Sequence, residues 1–177
     1  GLPIVSSNLV VHETGRPFLA DHLWLETRAG RLLVLSAVSQ QTRDAWFEPK
    51  QGMVLAVDPV TAVEGLLSRL ADQADLVLLL STLDQPELSD LLARVDGIDL
   101  VVASDDSLGL ESPRQVHGTP VQWVGAFGML LGRAELGAAG DLLGVSAVPV
   151  FGQFPVHPRV GEPIATAESF DPASAQN

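Results

Sequence analysis

The chain has 177 residues, which is enough for one domain with a hydrophobic core, and its 22 acidic and 10 basic side chains give a formal net charge of -12. This charge repels phosphate backbones and anionic lipid, so we expect no unspecific binding to nucleic acid or to membrane surfaces. The absence of cysteine excludes disulfides, thiolate metal sites and cysteine nucleophiles. No apolar run approaches the roughly 20 residues that cross a bilayer, so we expect no membrane span.

The first elements in chain order are predicted to be strands. The apolar run in PIVSSNLVV, residues 3–11, predicts a short buried strand that ends at the polar residues 6–8. The segment HLWLETRAGRLLVLSAVS, residues 22–39, contains two β-rich runs on either side of Arg28-Ala29-Gly30. Because glycine accepts the positive φ of a tight turn, this pattern predicts a β-hairpin.

The hydrophobic period changes to a helical one near residue 58. Asp58 is a suitable N-cap and Pro59 suits the first helical position. Apolar residues then recur every three or four positions, at Val63, Leu66, Leu67 and Leu70. This spacing predicts a helix that ends near residue 73.

A strand, a helix and another strand are predicted next. DLVLLLS, residues 75–81, is a continuous apolar run typical of a strand buried on both faces. Asp84 and Glu87 have the spacing of a capping box at the start of a helix, and GIDLVVAS, residues 97–104, predicts the following strand. A helix between two such strands favours a right-handed βαβ crossover with parallel pairing.

The pattern returns to strands and glycine turns after residue 118. The segments TPVQWVGAFG, MLLGRAELG and LLGVSAVPVFG predict antiparallel edge strands. From about Phe154 the sequence is rich in proline, and its apolar residues no longer recur at a helical or strand spacing. We therefore divide the chain into an α/β domain, residues 1–153, and a proline-rich C-terminal arm or tail, residues 154–177.

The order of these elements resembles the second half of the catalytic domain of the 5'-nucleotidase branch of calcineurin-like metallophosphoesterases. In that family a strand ending in leucine-serine-histidine precedes a helix, and a Gly-Ile-Asp strand then ends in Gly-Gly-His-x-His; the stretches here are LLLST (78–82) and GIDLVVASDDS (97–107). GLPIVSSNL resembles the segment after the family's Gly-Asn-His-Glu motif. The resemblance covers roughly residues 1–137. It implies an α/β fold that is half of a metallophosphoesterase-like sandwich, with a mixed sheet, βαβ crossover helices and antiparallel C-terminal strands.

The resemblance also implies that the metal-ligand motifs are degenerate. Thr82 stands where the family has a metal-binding histidine, and Asp105 and Ser107 stand where it has the His-x-His pair. A hydroxyl is a poorer metal ligand than an imidazole nitrogen, so Asp105 is left as the one weak candidate ligand. Asn8 is either a polar remnant of the same site or a turn-forming or capping asparagine. We therefore expect no catalytic residue and no metal site in this chain alone.

Other polar residues are open to two interpretations. Asp105 and Asp106, together with Asp84, could hold calcium through oxygen atoms, or they form a solvated acidic loop. Ser36 and Ser81 have no adjacent base in the sequence, which argues against a serine nucleophile. The four histidines lie in four predicted elements without ligand spacing, and we interpret them as surface or turn residues: His12, His22, His117 and His157.

The functional hypothesis is a catalytically inactive nucleotidase-like domain that acts as a structural or docking subunit of a larger assembly and needs no cofactor. Half of a sandwich has one sheet face that another polypeptide must cover, so we expect a protein partner on that face. The alternative is a metal-dependent phosphoesterase, using manganese or zinc, whose active site is completed by an absent N-terminal half or a partner chain. A third hypothesis is a small-ligand module that uses the cleft around Asn8, Thr82 and Asp105.

The location of the protein is predicted from the same resemblance. The chain begins at Gly1 without an initiator methionine, which we interpret as a processed product or a fragment. Its resemblance to secreted and periplasmic nucleotidases, together with the absence of cysteine, favours an extracytoplasmic location, either periplasmic or secreted.

Overall fold

A computed structural model describes residues 3–28, 30–46, 54–104, 113–124, 130–137 and 141–149. Within these residues the chain forms ten strands and three α-helices. The strands are β1 Leu9–Val11, β2 Leu23–Thr27, β3 Gly30–Ala37, β4 Val54–Ala56, β5 Leu76–Ser81, β6 Leu100–Ser104, β7 Arg114–Val116, β8 Thr119–Val124, β9 Leu130–Leu136 and β10 Leu142–Pro149. The helices are α1 Gln40–Trp46, α2 Pro59–Leu70, which continues into a 3-10 turn at Ala71–Gln73, and α3 Gln85–Arg94.

Six of the strands form one mixed sheet in the order β2-β3-β5-β6-β8-β7. The four inner strands β3, β5, β6 and β8 are parallel to their inner neighbours, whereas β2 and β7 are antiparallel additions at the two sides. Two separate antiparallel pairs, β1 with β4 and β9 with β10, lie outside this sheet. The parallel centre requires crossover connections, and α2 and α3 supply two of them.

The β2–β3 hairpin turns at Gly30, whose φ is +129°. A Cβ atom at this position would lie 2.6 Å from an Asp75 carboxylate oxygen, so only glycine fits. That carboxylate accepts a hydrogen bond from the Arg31 N–H at 2.7 Å. Asp99 makes the same contact at the next strand: its carboxylate accepts a hydrogen bond from the Val77 N–H, at the start of β5, at 2.7 Å. Each aspartate thus holds the start of the neighbouring strand in register.

Helices α2 and α3 begin where their sequences predict. The Asp58 carboxylate accepts from the Thr61 N–H at 2.9 Å, with Pro59 at the first helical position. Asp84 and Glu87 form a complete capping box, in which each side chain accepts from the other residue's N–H. The apolar stripes of both helices are buried against the sheet, with Leu66 and Leu91 at 3% and 0% exposure.

The side chains of the central sheet alternate between two faces. One face packs against α2 and α3, and it contains a cross-strand row of aligned apolar residues: Leu35, Leu79, Val101 and Val121. We call the opposite side the second face. On this second face, the residues that follow the first row by one position form another cross-strand row: Ser36, Leu80, Val102 and Gln122. In this second row Leu80 and Val102 are only half-buried, whereas Leu79 and Val101 on the helix face are fully buried.

The β9–β10 hairpin packs on part of the second face. A Cβ atom at Gly132 of β9 would lie 3.1 Å from Cγ of Gln122 and 3.9 Å from a methyl group of Val124, so β9 passes close to β8. Gln122 is 2% exposed beneath it. The hairpin therefore begins a second layer over one side of the sheet.

Several sequence predictions are corrected by the structure. The first strand lies at Leu9–Val11, after the polar residues 6–8 and not before them, and Val5 makes only an isolated bridge to Ala20. The strand predicted at 97–104 begins at Leu100. Strand β8 is an inner strand that is parallel to β6, whereas an antiparallel edge strand was predicted. The short elements α1, β4 and β7 were not predicted.

The predicted α/β class is confirmed: the sheet is mixed, α3 connects two parallel strands, and β9 and β10 are antiparallel. The arm predicted at 154–177 lies outside the described residues, so the domain division stays a prediction. None of the helices in the described ranges has the length and apolar character needed to cross a bilayer.

Candidate functional site

The parallel strands β3, β5 and β6 end at the same edge of the sheet, which is where open α/β folds commonly bind ligands. Ser39 follows β3, Thr82 follows β5, and Ser104 closes β6. Hydroxyl side chains therefore follow or end three neighbouring strands. Asp105 and Ser107, the two further positions where the resemblance implies ligands, lie outside the described residues.

Thr82 joins the ends of two strands. Its N–H donates to the Ala37 carbonyl oxygen at 3.0 Å, and its hydroxyl oxygen accepts from the Ser39 N–H at a long 3.4 Å. The side chain is half-buried. The structure thus places Thr82 at the predicted edge of the sheet, where its hydroxyl contacts the backbone of the turn that follows β3.

The other hydroxyls of this region serve local turns. Ser39 caps α1: its oxygen accepts from the Thr42 N–H at 2.9 Å, and its hydroxyl donates to the Thr42 hydroxyl oxygen at 2.9 Å. Ser81 is buried, and its oxygen accepts from the Leu83 N–H at 3.1 Å. The role of Ser39 was not predicted, although serine is one of the residues preferred at the N-cap of a helix.

Asn8 is fully buried and bonds only to backbone groups. Its amide nitrogen donates to the Val38 and Val57 carbonyl oxygens at 2.9 and 3.0 Å, and its side-chain oxygen accepts from the Val38 N–H at 2.9 Å. Val38 follows β3 and Val57 follows β4, so a single side chain holds two chain segments 19 residues apart next to β1. Both protons of the amide are used in these bonds, and Asn8 acts as a structural residue in this arrangement.

A small cavity of about 170 Å³ lies beside these strand ends. Its acidic lining residues, Asp58 and Glu87, are both engaged in helix caps. Hydrogen bonds from the Thr61 side chain, and then from the Thr61 backbone, hold the pKa of Asp58 below its usual value. The complete lining consists of Val38, Ser39, Gln40, Ala56, Val57, Asp58, Pro59, Leu83 and Glu87.

We predict that the cap at Asp58 contributes stability only while its carboxylate is ionised. Because the pKa of Asp58 is lower in the folded chain than in the unfolded chain, the contribution is complete above about pH 4 and is lost as the pH falls through the folded-state value. Urea unfolding of the native chain and of Asp58→Asn between pH 3 and pH 7 measures the free energy of unfolding of each. The difference in this free energy between the two chains should shrink at acid pH. Asp72→Asn, in the exposed turn after α2, corrects for the change in net charge. A difference that grew at acid pH would contradict the prediction.

The histidines of the described ranges are separated in the structure. His12 is exposed in the turn after β1, and Nδ1 of His22 lies 2.7 Å from an Asp21 carboxylate oxygen. His117 has a positive φ of 48° in the β7–β8 turn, and its Nε2 lies 3.0 Å from the Ser89 hydroxyl oxygen of α3. His157 lies outside the described residues. Within the ranges that the structure describes, no three histidine or acidic side chains come together as a possible metal site.

No protein-family model matches the sequence, and no curated protein matches it. Solved structures do resemble it. The sulfate thiohydrolase SoxB of Thermus thermophilus, solved with glycerol, superimposes with a TM-score of 0.76 at 22% identity, over 94% of this chain and 31% of that chain. A 5'-nucleotidase assigned in Staphylococcus aureus, solved with alpha-ketoglutarate, gives a TM-score of 0.71 at 13% identity, over 95% of this chain and 37% of that chain.

The calcineurin-like phosphoesterase YfkN of Bacillus subtilis gives a TM-score of 0.68 at 16% identity, over 94% of this chain and 62% of that chain. Identities at this level establish a common fold and nothing finer. The predicted metallophosphoesterase-type fold is therefore confirmed. This chain spans about a third of the length of the first two proteins, and accordingly corresponds to part of their structure.

Proposed function

We propose that this chain is a metallophosphoesterase-type partial domain that does not hydrolyse phosphate esters and serves as a structural or docking subunit of a larger assembly. Its partner is a polypeptide that covers the second face of the central sheet. The chain requires no metal cofactor for this role. The observation that carries the proposal is the local structure at Thr82, at the edge where the resemblance implies a metal-binding histidine.

The side chain of Thr82 supports the loss of catalysis. Two-metal hydrolysis needs protein ligands that hold both ions, because the bound ions lower the pKa of the attacking water. A threonine hydroxyl is neutral and is a weak donor to such ions, and the Thr82 oxygen already accepts a long hydrogen bond from the Ser39 N–H. The neighbouring hydroxyls of Ser39 and Ser81 are likewise bonded within their own turns.

The second face supports the docking role. Leu78, Leu80 and Val102 are apolar residues of inner strands, yet all three are only half-buried. The β9–β10 hairpin packs over the neighbouring strand β8. A partner that extended this layer across β5 and β6 would remove their side chains from water, which favours association in proportion to the apolar area buried.

The deciding experiment is native mass spectrometry with metal analysis on the protein purified from its natural source without tags. We expect a complex larger than the single chain, with no stoichiometric divalent metal. Assays with a nucleotide and with a bis-phosphate ester, in the presence of manganese or zinc, should show no turnover. Two bound metals and turnover, with a second chain that carries a Gly-Asn-His-Glu motif, would instead establish a hydrolase assembled from two polypeptides.

A pair of variants tests the docking face. Leu80→Glu places a charge on the second face, where the half-buried position leaves the carboxylate access to water in the free chain. We expect the variant to remain folded by circular dichroism and to lose the complex, because a buried unpaired charge is costly at an interface. Ala93→Glu adds the same charge at an exposed position of α3 and should leave the complex intact. Equal retention of the complex by both variants would reject the second face as the interface.

We further propose that the protein works outside the cytoplasm. The proposal is supported by the resemblance to secreted and periplasmic nucleotidases and by the absence of cysteine. One of the solved structures with this fold, at 18% identity, is described as a 5'-nucleotidase precursor from Thermus thermophilus. Cell fractionation with an antibody to this chain tests the location.

A further inference from the structure

Strands β5 and β6, whose side chains on the second face are only half-buried in part, both follow acidic segments. The segment that leads into β5 is ADQAD, residues 71–75, and the segment that leads into β6 is VDGID, residues 95–99. Because β5 and β6 are adjacent and parallel, the two segments lie at the same edge of the sheet. We call it the acidic edge, after its four exposed aspartates: Asp72, Asp75, Asp96 and Asp99.

The arginines around the acidic edge do not neutralise it. In the part of the chain that the structure describes, the ion pairs of the neighbouring elements join other residues: Arg31 with Glu26, Arg69 with Asp21 and Arg94 with Asp90. Arg114 lines the same cavity as Asp99, but Asp141 lines that cavity as well and offsets its charge. The acidic edge therefore keeps an excess of negative charge.

This charge is close to the half-buried apolar side chains of the second face. Leu78 follows Asp75 by three positions in β5, so their Cα atoms are roughly 10 Å apart at a rise of about 3.3 Å per residue. Val102 has the same separation from Asp99 in β6. The distance is comparable with the Debye length of about 8 Å at physiological ionic strength, so the carboxylates act on whatever covers these side chains. The described strand residues of the second face are themselves uncharged.

We propose that the polypeptide that covers the second face is cationic. It presents an uncharged apolar surface to Leu78, Leu80 and Val102, and it presents lysine or arginine side chains to the acidic edge. This inference rests on the proposed docking function and names the chemistry of the partner. The net charge of -12 favours such a partner over a second copy of this chain or another acidic protein, because like charges repel. The apolar contact supplies affinity, and the opposite charges accelerate association and fix the orientation.

The natural complex gives the first test. The sequence of the partner recovered from it, determined by mass spectrometry, should carry a positive formal charge. Association of this partner with the purified full chain, measured by surface plasmon resonance, should slow at least about fivefold between about 50 and 500 mM NaCl. A partner of net negative charge, or an association rate independent of salt, would overturn this inference and leave the docking function intact. The absence of any complex would reject the docking function itself.

Two double variants locate the charged contact. Asp72→Asn with Asp96→Asn removes two carboxylates from the acidic edge and leaves the strand-start hydrogen bonds of Asp75 and Asp99 in place. Its association with the recovered partner at low salt should be slower than that of the native chain by at least about threefold.

The matched control is Glu13→Gln with Glu64→Gln, which makes the same change in net charge at exposed positions in the turn after β1 and in α2. It should slow association by less than about 1.5-fold. Circular dichroism and urea unfolding establish that both double variants are folded. Equal effects of the two would mean that only the net charge matters, and would reject the acidic edge as the charged contact.

A synthetic probe tests the chemistry with the purified full chain alone. In an extended ten-residue peptide in which leucine and lysine alternate, one face is apolar and the peptide is strongly cationic. Adding it at low salt should shift the methyl NMR signals of Leu80 and Val102, whereas those of Leu67, on the helix face, should stay unchanged. Peptides with serine in place of leucine, or glutamate in place of lysine, should have little effect. If the leucine–glutamate peptide shifted the same signals as strongly, the partner would not need positive charge and the inference would be wrong.

Discussion

Replacing Asn8 by alanine is expected to lower the free energy of unfolding by about 3 kcal/mol. The side chain is fully buried and makes three hydrogen bonds to the backbone of Val38 and Val57. Alanine would leave the Val38 N–H and the Val38 and Val57 carbonyl oxygens without their side-chain partner, and leaving partly buried polar groups unpaired costs more than the ordinary value of a hydrogen bond. Urea unfolding followed by circular dichroism measures the change.

The control for this variant is Thr14→Ala. Thr14 is exposed in the turn after β1, and its hydroxyl oxygen accepts a 3.3 Å hydrogen bond from the Arg16 N–H. Because water replaces an exposed hydrogen bond, we expect a loss below about 0.5 kcal/mol. If Asn8→Ala lost as little as Thr14→Ala, the backbone groups at the ends of β3 and β4 would be satisfied without Asn8, and the structural role given to it here would be wrong.

Replacing Leu79 by alanine is expected to lower the free energy of unfolding by about 3 to 4 kcal/mol. Leu79 is at 0% exposure in the middle of β5, between β3 and β6 and beneath the two helices. The substitution removes three carbon atoms from a packed core and leaves a cavity that the surrounding strands and helices can fill only in part. The same unfolding measurement in urea tests it.

The adjacent residue supplies the matched control, because Leu80→Ala deletes the same atoms from the same strand. Its side chain lies on the second face and is only half-buried, so we expect a loss of about 1 kcal/mol in the isolated chain. In the assembly the loss at Leu80 should rise toward that at Leu79, since the partner would bury it. Equal losses in the isolated chain would mean that the second face is already covered by this chain itself.

The sequence predicted correctly those helix starts and turns that depend on residues only a few positions apart. The caps at Asp58 and Asp84 lie at the predicted positions because an N-cap bonds to a backbone N–H only three residues away. The hairpin at Gly30 was predictable because the turn needs a positive φ, which glycine adopts without a steric penalty. In the structure Gly30 has a φ of +129°. The short elements α1, β4 and β7 were missed, since three to seven residues are too few to display a hydrophobic period.

Pairing and burial across the chain were not predictable in the same way. The segment TPVQWV alternates as an edge strand would, yet β8 lies between β7, its neighbour in the sequence, and β6, in which Val101 pairs with Val121. Thr82 meets Ser39 across 43 residues, and Asn8 meets Val57 across 49 residues. No periodicity in the sequence records contacts of that kind.

By itself the sequence determined the longer strands and helices, the α/β class and the residue types available at the strand ends, where Thr82 stands and no imidazole does. These properties depend on backbone propensities, capping bonds and side-chain chemistry within a few residues. The tertiary structure alone decided that Asn8 joins two strand ends, and that the row through Leu80 is incompletely buried while the row through Leu79 is fully buried. Burial and strand pairing depend on which segments meet in space, so a residue's role there is set by neighbours that lie far away in the chain.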